Sequence, residues 1–353
     1  MAGTVVFGPF VGEFGWELLY WQGWVRKLSR TRYQNYRKIV VSRIGYHVFY
    51  DTCDEFLGIP QTLFPPDFSA RGYISDAWQK GFPGMGTKRR FGFYLVNDLI
   101  NFRKPTLKYD EAPKGDSSFF QSASKYLDSL VKAYGPDCEF VVPWLLNNIN
   151  GEIVGFSSTS KPQNLNDYRL SHKPDWSMQD LPKIAAAKRL DVLNHQQHYV
   201  CVFPRKRMFR REDKNWSEEN YLELIRALQN RNKTVVLCGS PEGAYFADRT
   251  PPNCIDLINV DPIERLEKQV AFLNVSQFAI GAMSGAMLFA LAAGCPSIIF
   301  GELNQLHRYY EENFTKTRLN YVPELSPTVT NLLRIVDCFC ENADTLALKQ
   351  SKN

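Results

Sequence analysis

Six basic residues crowd one stretch of this chain. Arg205, Lys206, Arg207, Arg210, Arg211 and Lys214 lie between an apolar run at 199–204 and a helical pattern at 216–231. Cations in that number suit an anion: two neighbouring phosphates need neutralising charge and hydrogen-bond donors, which Lys and Arg supply. Lys214 stands just before the helix start, within side-chain reach of a bound phosphate. A solvated basic loop is the plainer alternative. A second stretch points the same way. After the apolar run 278–283, which ends in Met283, Ser284, Gly285 and Ala286 open a helix rich in small residues (Ala290, Ala292, Ala293, Gly294). A helix start presents unpaired N–H groups and partial positive charge. Small residues there let a diphosphate come close, although a tight turn without a ligand fits equally. A third stretch, Gly239-Ser240-Pro241-Glu242, offers close approach at Gly239 and a carboxylate at Glu242 able to accept from ribose hydroxyls. The turn at 301–307, with Glu302 and His307, completes the set on the C-terminal half.

On the N-terminal half the turn reads Gly12-Glu13-Phe14-Gly15-Trp16-Glu17. A carboxylate at a cleft mouth can take the proton of an attacking hydroxyl. Glu13 and Glu17 are four apart and share one face if the helix begins early. Glu13 is preferred because it follows glycine directly. Glu17 is second and could instead orient the loop, and either could simply cap the helix. Phe10, Phe14 and Trp16 could stack on a sugar acceptor. Arg43 and the run Lys88-Arg89-Arg90 would face an acidic one.

These residues need elements to hold them. An apolar strand at 4–10, the glycine turn, a helix at 16–30 and a strand at 38–44 begin an α/β layer. Residues 60–180 are rich in Pro, Gly, Asn and aromatics and alternate poorly. Short strands are expected at 140–146 and 151–156, a linker at 160–175 and a helix at 181–195. From 199 the pattern is regular: strands at 199–204, 234–240, 255–260, 278–283 and 296–301 alternate with helices at 216–231, 262–274 and 284–294, and a last helix covers 328–349. Ser217 is a candidate N-cap and Pro262 begins its helix. Such alternation is the mark of a parallel sheet covered on both faces. The expected fold is α/β with two Rossmann-like domains facing each other across a cleft: residues 1–185 for the acceptor, 186–330 for the donor, and 331–353 as a helix and tail packing back on the first. Ligands of such sheets bind at the carboxyl ends of the strands, where the candidate residues fall.

Apolar residues make up 44% and charged residues 22% of the 353, an ordinary globular composition. The net charge of +5 is mild and does not by itself imply nucleic acid, though Arg26, Lys27, Arg30, Arg32, Arg37, Lys38 and Arg43 form a further basic group. Eight cysteines occur without a CxxC pair or zinc spacing. With no signal peptide and no apolar run near the roughly 18 residues of a membrane span, they point to a reducing cytoplasm, at most with peripheral membrane contact, or to the host cytoplasm if the source is viral. No DxD motif offers a diphosphate-bound metal, so neither a metal nor a cofactor is expected. No GxGxxG follows a strand, which argues against a dinucleotide dehydrogenase.

Three segments in this order resemble the heptosyltransferase family of lipopolysaccharide glycosyltransferases. They are Asp213-Lys214-Asn215-Trp216 before a helix, the strand ending in the 239–243 glycine turn, and the strand–Ser284-Gly285–helix–strand unit ending in Phe300-Gly301. The resemblance covers roughly residues 199–307. It implies a GT-B fold, donor diphosphate near Lys214 and Ser284 to Ala286, inverting transfer without a metal, and a base in the N-terminal turn. Met283 stands where the family usually has an aspartate. The nucleotide-diphosphate sugar would be co-substrate and a saccharide, including a lipid-linked one, the acceptor. Glycosylation of a hydroxymethylated base in phage DNA is an alternative, with Arg26 to Arg43 and Lys88 to Arg90 gripping phosphates. A non-catalytic nucleotide- or sugar-binding protein on the same scaffold is another.

Overall fold

The computed structural model describes residues 3–10, 14–60, 62, 117–135, 138–141, 148–149, 152–153, 198–207, 212–311, 313 and 315–350. Two compact units divide the chain: Met1–Phe68 with Gly72–Asp175, and Ser69–Arg71 with Trp176–Asn353.

The first unit carries a four-stranded parallel sheet, order β3-β2-β1-β4, from β1 (Thr4–Phe7), β2 (Arg37–Arg43), β3 (Glu55–Ile59) and β4 (Cys138–Val141). The expected helix at 16–30 is built in three pieces: α1 (Phe14–Trp16), a π-helical stretch (Glu17–Trp21) and α2 (Gln22–Arg30). A further helix, α3 (Ser117–Tyr134), lies where the sequence pattern is weak. The strands expected at 140–146 and 151–156 are met in part, by β4 and by a small antiparallel pair, β5 (Asn148–Ile149) and β6 (Glu152–Ile153). The helix expected at 181–195 and the linker at 160–175 lie outside the described residues.

The second unit is a six-stranded, wholly parallel sheet of order β12-β11-β10-β7-β8-β9. Its strands are β7 (Tyr199–Phe203), β8 (Thr234–Leu237), β9 (Cys254–Asp256), β10 (Phe278–Ala282), β11 (Ser297–Phe300) and β12 (Leu319–Val322). Every residue of β7, β10 and β11 is buried, as a sheet covered on both faces requires. The covering helices are α4 (Glu218–Gln229), α5 (Pro262–Val275), α6 (Gly285–Ala292), α7 (Leu306–Glu311) and α8 (Val329–Gln350). The strand expected through Val260 stops at Asp256. That carboxylate accepts from the backbone N–H of Ile258 (2.8 Å) and Asn259 (3.2 Å), which turns the chain out of the sheet. Val329, Leu332, Val336 and Phe339 of α8 pack into the same core as Trp216, Tyr221 and Leu224, so this helix belongs to the second unit. Among the described residues no helix is long and apolar enough to cross a membrane.

Side-chain caps mark the starts of α4 and α5. Ser217 Oγ accepts from Asn220 N at 3.2 Å, and Asp261 accepts from Ile263 N at 2.8 Å with Pro262 as first residue. Ser217→Ala is expected to destabilise the second unit by about 1 kcal/mol. The shift in urea midpoint measures it, and a change within error would mean water replaces the cap without penalty.

Candidate functional site

In the second unit the chain runs outward from β7 in both directions, to β8 on one side and β10 on the other. The crevice beyond the carboxyl ends of β7 and β10 is therefore the topological switch point, where such sheets bind ligands. Phe203 of β7 pairs with Gly281 of β10, so Arg205 and the Met283-Ser284 turn leave the sheet side by side.

The basic loop is folded back on itself there. Asn215 Oδ1 accepts from Arg205 Nη1 (2.5 Å) and from Arg207 N (2.9 Å), and Asn215 Nδ2 donates to Arg207 O (2.7 Å). Lys206 N donates to Gly243 O at 2.9 Å and Tyr245 N to Pro204 O at 2.7 Å, which ties the loop to the turn after β8. Lys206 Nζ lies 5.3 Å from the centre of the Tyr245 ring. Arg205 is only 7% exposed. Burial, helped by the neighbouring charge of Arg207, lowers its pKa to about 10, which leaves it charged at neutral pH. A cation held this far from water is suited to an anion that comes to meet it.

Opposite, Ser284 caps α6, its Oγ accepting from Met287 N at 3.4 Å. Ser284, Gly285 and Ala286 are half-buried, with the amino end of the helix behind them. Two tyrosines brace this corner. Tyr309 OH donates to Ser284 O (3.1 Å) and Tyr321 OH to Glu302 O (2.7 Å), their rings 5.4 Å apart. Met283 is buried, and its sulfur accepts from Glu302 N at 3.2 Å. A Cβ added at Gly301 would fall 2.3 Å from that sulfur, so only glycine lets the two turns close. Lys214 Nζ stands 3.7 Å from Glu302 Oε2. Lys214, Glu302, Met283 and Ser284 thus form one contiguous corner. In the turn after β8, Gly239 adopts φ +136°, a region natural only to glycine. Gln269 Nε2 holds that turn from beneath, donating to Gly239 O (2.7 Å) and Leu257 O (3.2 Å). Ser240 is half-buried and Glu242 exposed. His307 is exposed and pairs with Glu311 at 3.3 Å.

In the first unit Glu17 is fully buried. Its Oε1 accepts from Ser42 Oγ and, at 2.5 Å, from Tyr50 OH. Its Oε2 is buried without a hydrogen-bond partner among the described residues. Burial raises this carboxyl to about 7, against the pull of the Ser42 and Tyr50 hydroxyls and of Arg43. Arg43 stacks on Tyr46, 5.7 Å from the ring centre, and Tyr46 meets Phe14 edge-on at 5.6 Å. Arg43, Tyr46 and Phe14 therefore gather beside Glu17. Phe10 does not join them: it is 1% exposed and stacks on Trp21 at 5.5 Å, a core position. Glu13, Lys88, Arg89, Arg90 and the side chain of Trp16 lie outside the described residues. The basic group Arg26 to Arg43 is not one cationic face. Arg26 is buried and paired with Asp51, Arg37 pairs with Glu55 at 2.5 Å, and Arg32 lies 3.6 Å from Glu139.

Sequence reasoning did not foresee Asn215, Tyr309, Tyr321 or Gln269. Asn215 stood in the Asp213–Trp216 segment and was open to notice. The other three act across the fold, from positions with no local pattern.

Residues 163–323 match the model of Glycosyltransferase family 9 (heptosyltransferase). Among solved structures, the chain is similar to the glycosyl transferase family 9 protein of Veillonella parvula DSM 2008, with 11% identity over 96% of this chain and 97% of the other and a TM-score of 0.47. It is also similar to E. coli ADP-heptose lps heptosyltransferase II (14%, 97% and 99%, TM-score 0.47). A third is E. coli heptosyltransferase WaaC with ADP (13%, 98% and 99%, TM-score 0.43). No curated protein matches the chain. The heptosyltransferase resemblance drawn from the sequence thus holds over residues 163–323, and the glycosyltransferase class of the activity goes with it.

Proposed function

We propose that this chain moves a sugar from a nucleotide-diphosphate donor, held by the second unit, to a hydroxyl of a saccharide acceptor held by the first. One observation carries the proposal: Arg205, Lys214 and the amino end of α6 meet at the switch point of a six-stranded parallel sheet. Arg205 and Lys214 neutralise the diphosphate as charge develops on the leaving group, and the first N–H groups of α6 donate to its oxygens. These groups supply the role a metal would otherwise fill, so the transfer proceeds without one. The turn after β8, with Ser240 and Glu242, faces the nucleoside. Glu13 is the base for direct, inverting displacement. Glu17, enclosed by two hydroxyls, orients the turn that carries Glu13, and Phe14 and Arg43 border the acceptor.

The test is a denaturation screen with UDP-, ADP-, GDP- and CMP-sugars. A donor at 100 times its dissociation constant stabilises the protein by about 2.7 kcal/mol. Lys214→Met is expected to weaken that donor roughly tenfold or more. Glu13→Gln is expected to abolish transfer while leaving donor binding intact. A flat response to every nucleotide-sugar would remove the proposal, and transfer that survives Glu13→Gln would remove the assignment of the base.

A further inference from the structure

Glu302 is held in an unusual way. Its backbone is fixed at both ends, N–H to the sulfur of Met283 and C=O to the hydroxyl of Tyr321. Its carboxylate stands 3.7 Å from the Lys214 ammonium, with the two side chains only 18% and 12% exposed. At that separation the contact is Coulombic and not a directed hydrogen bond. A negative charge is thereby kept beside the very cation that a diphosphate would use. An acid placed there weakens the binding of any anion, and it discriminates among anions by their charge.

We infer that Glu302 makes the site prefer the nucleotide-sugar over the nucleoside diphosphate left after transfer. The inference rests on the donor placement proposed above. The pyrophosphate of a nucleotide-sugar carries two negative charges. The released diphosphate gains a third on its terminal phosphate above a pH of about 6, the usual second ionisation of a phosphate monoester. The sugar itself offers hydroxyls, which donate to a carboxylate. Glu302 therefore attracts what the donor has and repels what the product has gained. The pair sets one carboxylate against one cation of the corner when nothing is bound. It also limits how much negative charge the corner accepts when something is. The outcome is a donor site that empties after turnover.

The test is calorimetric titration of the full chain, wild type, Glu302→Gln and Glu302→Ala, at pH 7.5. The ligands are ADP, UDP and GDP and their glucose or mannose conjugates. For the nucleotide that binds, both variants are expected to take the diphosphate about tenfold more tightly, as loss of a nearby like charge in a partly desolvated site allows. The nucleotide-sugar should bind with unchanged or lower affinity. The preference of wild type for the sugar form should shrink at pH 5.5, where the third charge is titrated away, and the variants should show no such shrinkage. Melting curves that coincide with wild type establish that the variants are folded. If both ligands shift by the same factor, Glu302 only tethers Lys214 and the inference is overturned while the donor site stands. If wild type binds no nucleotide at all, the donor site falls and the inference with it.

Discussion

Replacing Trp216 with alanine is expected to destabilise the second unit by about 4 kcal/mol, within the 3–5 kcal/mol typical of a buried aromatic. The indole has no exposed surface. Its ring meets Tyr221 edge-on at 4.9 Å and lies 5.2 Å from Phe300, and its N–H donates to Pro327 O at 3.0 Å. Truncation leaves a cavity between the sheet and α4 and strands a buried carbonyl, worth roughly a further 1 kcal/mol. Phe in its place restores most of the volume but not the hydrogen bond, so Trp216→Phe should fall between the two. Urea denaturation of the three proteins gives the order. A loss below about 1 kcal/mol for the alanine variant would mean that the site collapses around the gap. Trp216 closes the same Asp213–Trp216 segment that supplies Lys214, so the residue proposed to meet the donor and the residue that anchors the segment are two positions apart.

The second large effect is a dependence of stability on pH set by Glu17. Its folded pKa, about 7, lies above the ordinary value of 4.5 because burial disfavours the carboxylate. Between these values the folded chain holds a proton that the unfolded chain has released. Stability from this group is therefore complete below about pH 4.5 and is lost as pH rises through about 7, by roughly 3 kcal/mol in all. Glu17→Gln mimics the protonated form. It should gain most of that 3 kcal/mol over wild type at pH 8 and little at pH 4.5. Asp256 works in the opposite sense. Burial pushes its carboxyl up, but hydrogen bonds from Thr250, Asn259 and the backbone of Asn259 and Ile258 outweigh this and leave it lowered. Its contribution is present at neutral pH and is lost only in acid, so the two windows separate. Paired urea denaturation curves at pH 5 and pH 8 check the prediction. Parallel changes in wild type and Glu17→Gln would place the pH response elsewhere.

The second unit was legible in the sequence because its signals are local. β7, β10 and β11 are short unbroken apolar runs, and Ser217, Pro262 and Ser284 mark helix starts within one turn of the caps observed. Strand–turn logic put Lys214 and the Met283–Ser284 turn at the carboxyl ends of their strands, and it was the heptosyltransferase resemblance that brought the two together. The means by which it is held was not. Tyr309 and Tyr321 reach partners 25 and 19 residues away, and nothing in the spacing of a tyrosine says where its hydroxyl will end. Glu17 was harder still. The π-helical stretch from Glu17 to Trp21 adds a residue to the turn and rotates the faces before it against those after it. A single 3.6-residue period drawn through 16–30 therefore cannot place Glu17 on its true face. A glutamate in a first turn reads as a cap, yet this one is enclosed by Ser42 and Tyr50, both brought in by β2 and the chain just beyond it. α3 escaped notice because its surroundings, rich in Pro, Gly and Asn, mask the period within it.

Gln269 grips the main-chain carbonyls of Gly239, in the turn after β8, and of Leu257, just past β9, and not the side chains of that turn. The path of that turn is thus set from below, independently of what Ser240, Pro241 and Glu242 present above. On the donor placement proposed above, exchange of those three side chains would retune which nucleoside is welcomed without redrawing the backbone, which would make this turn the natural place to graft a new donor preference onto the protein.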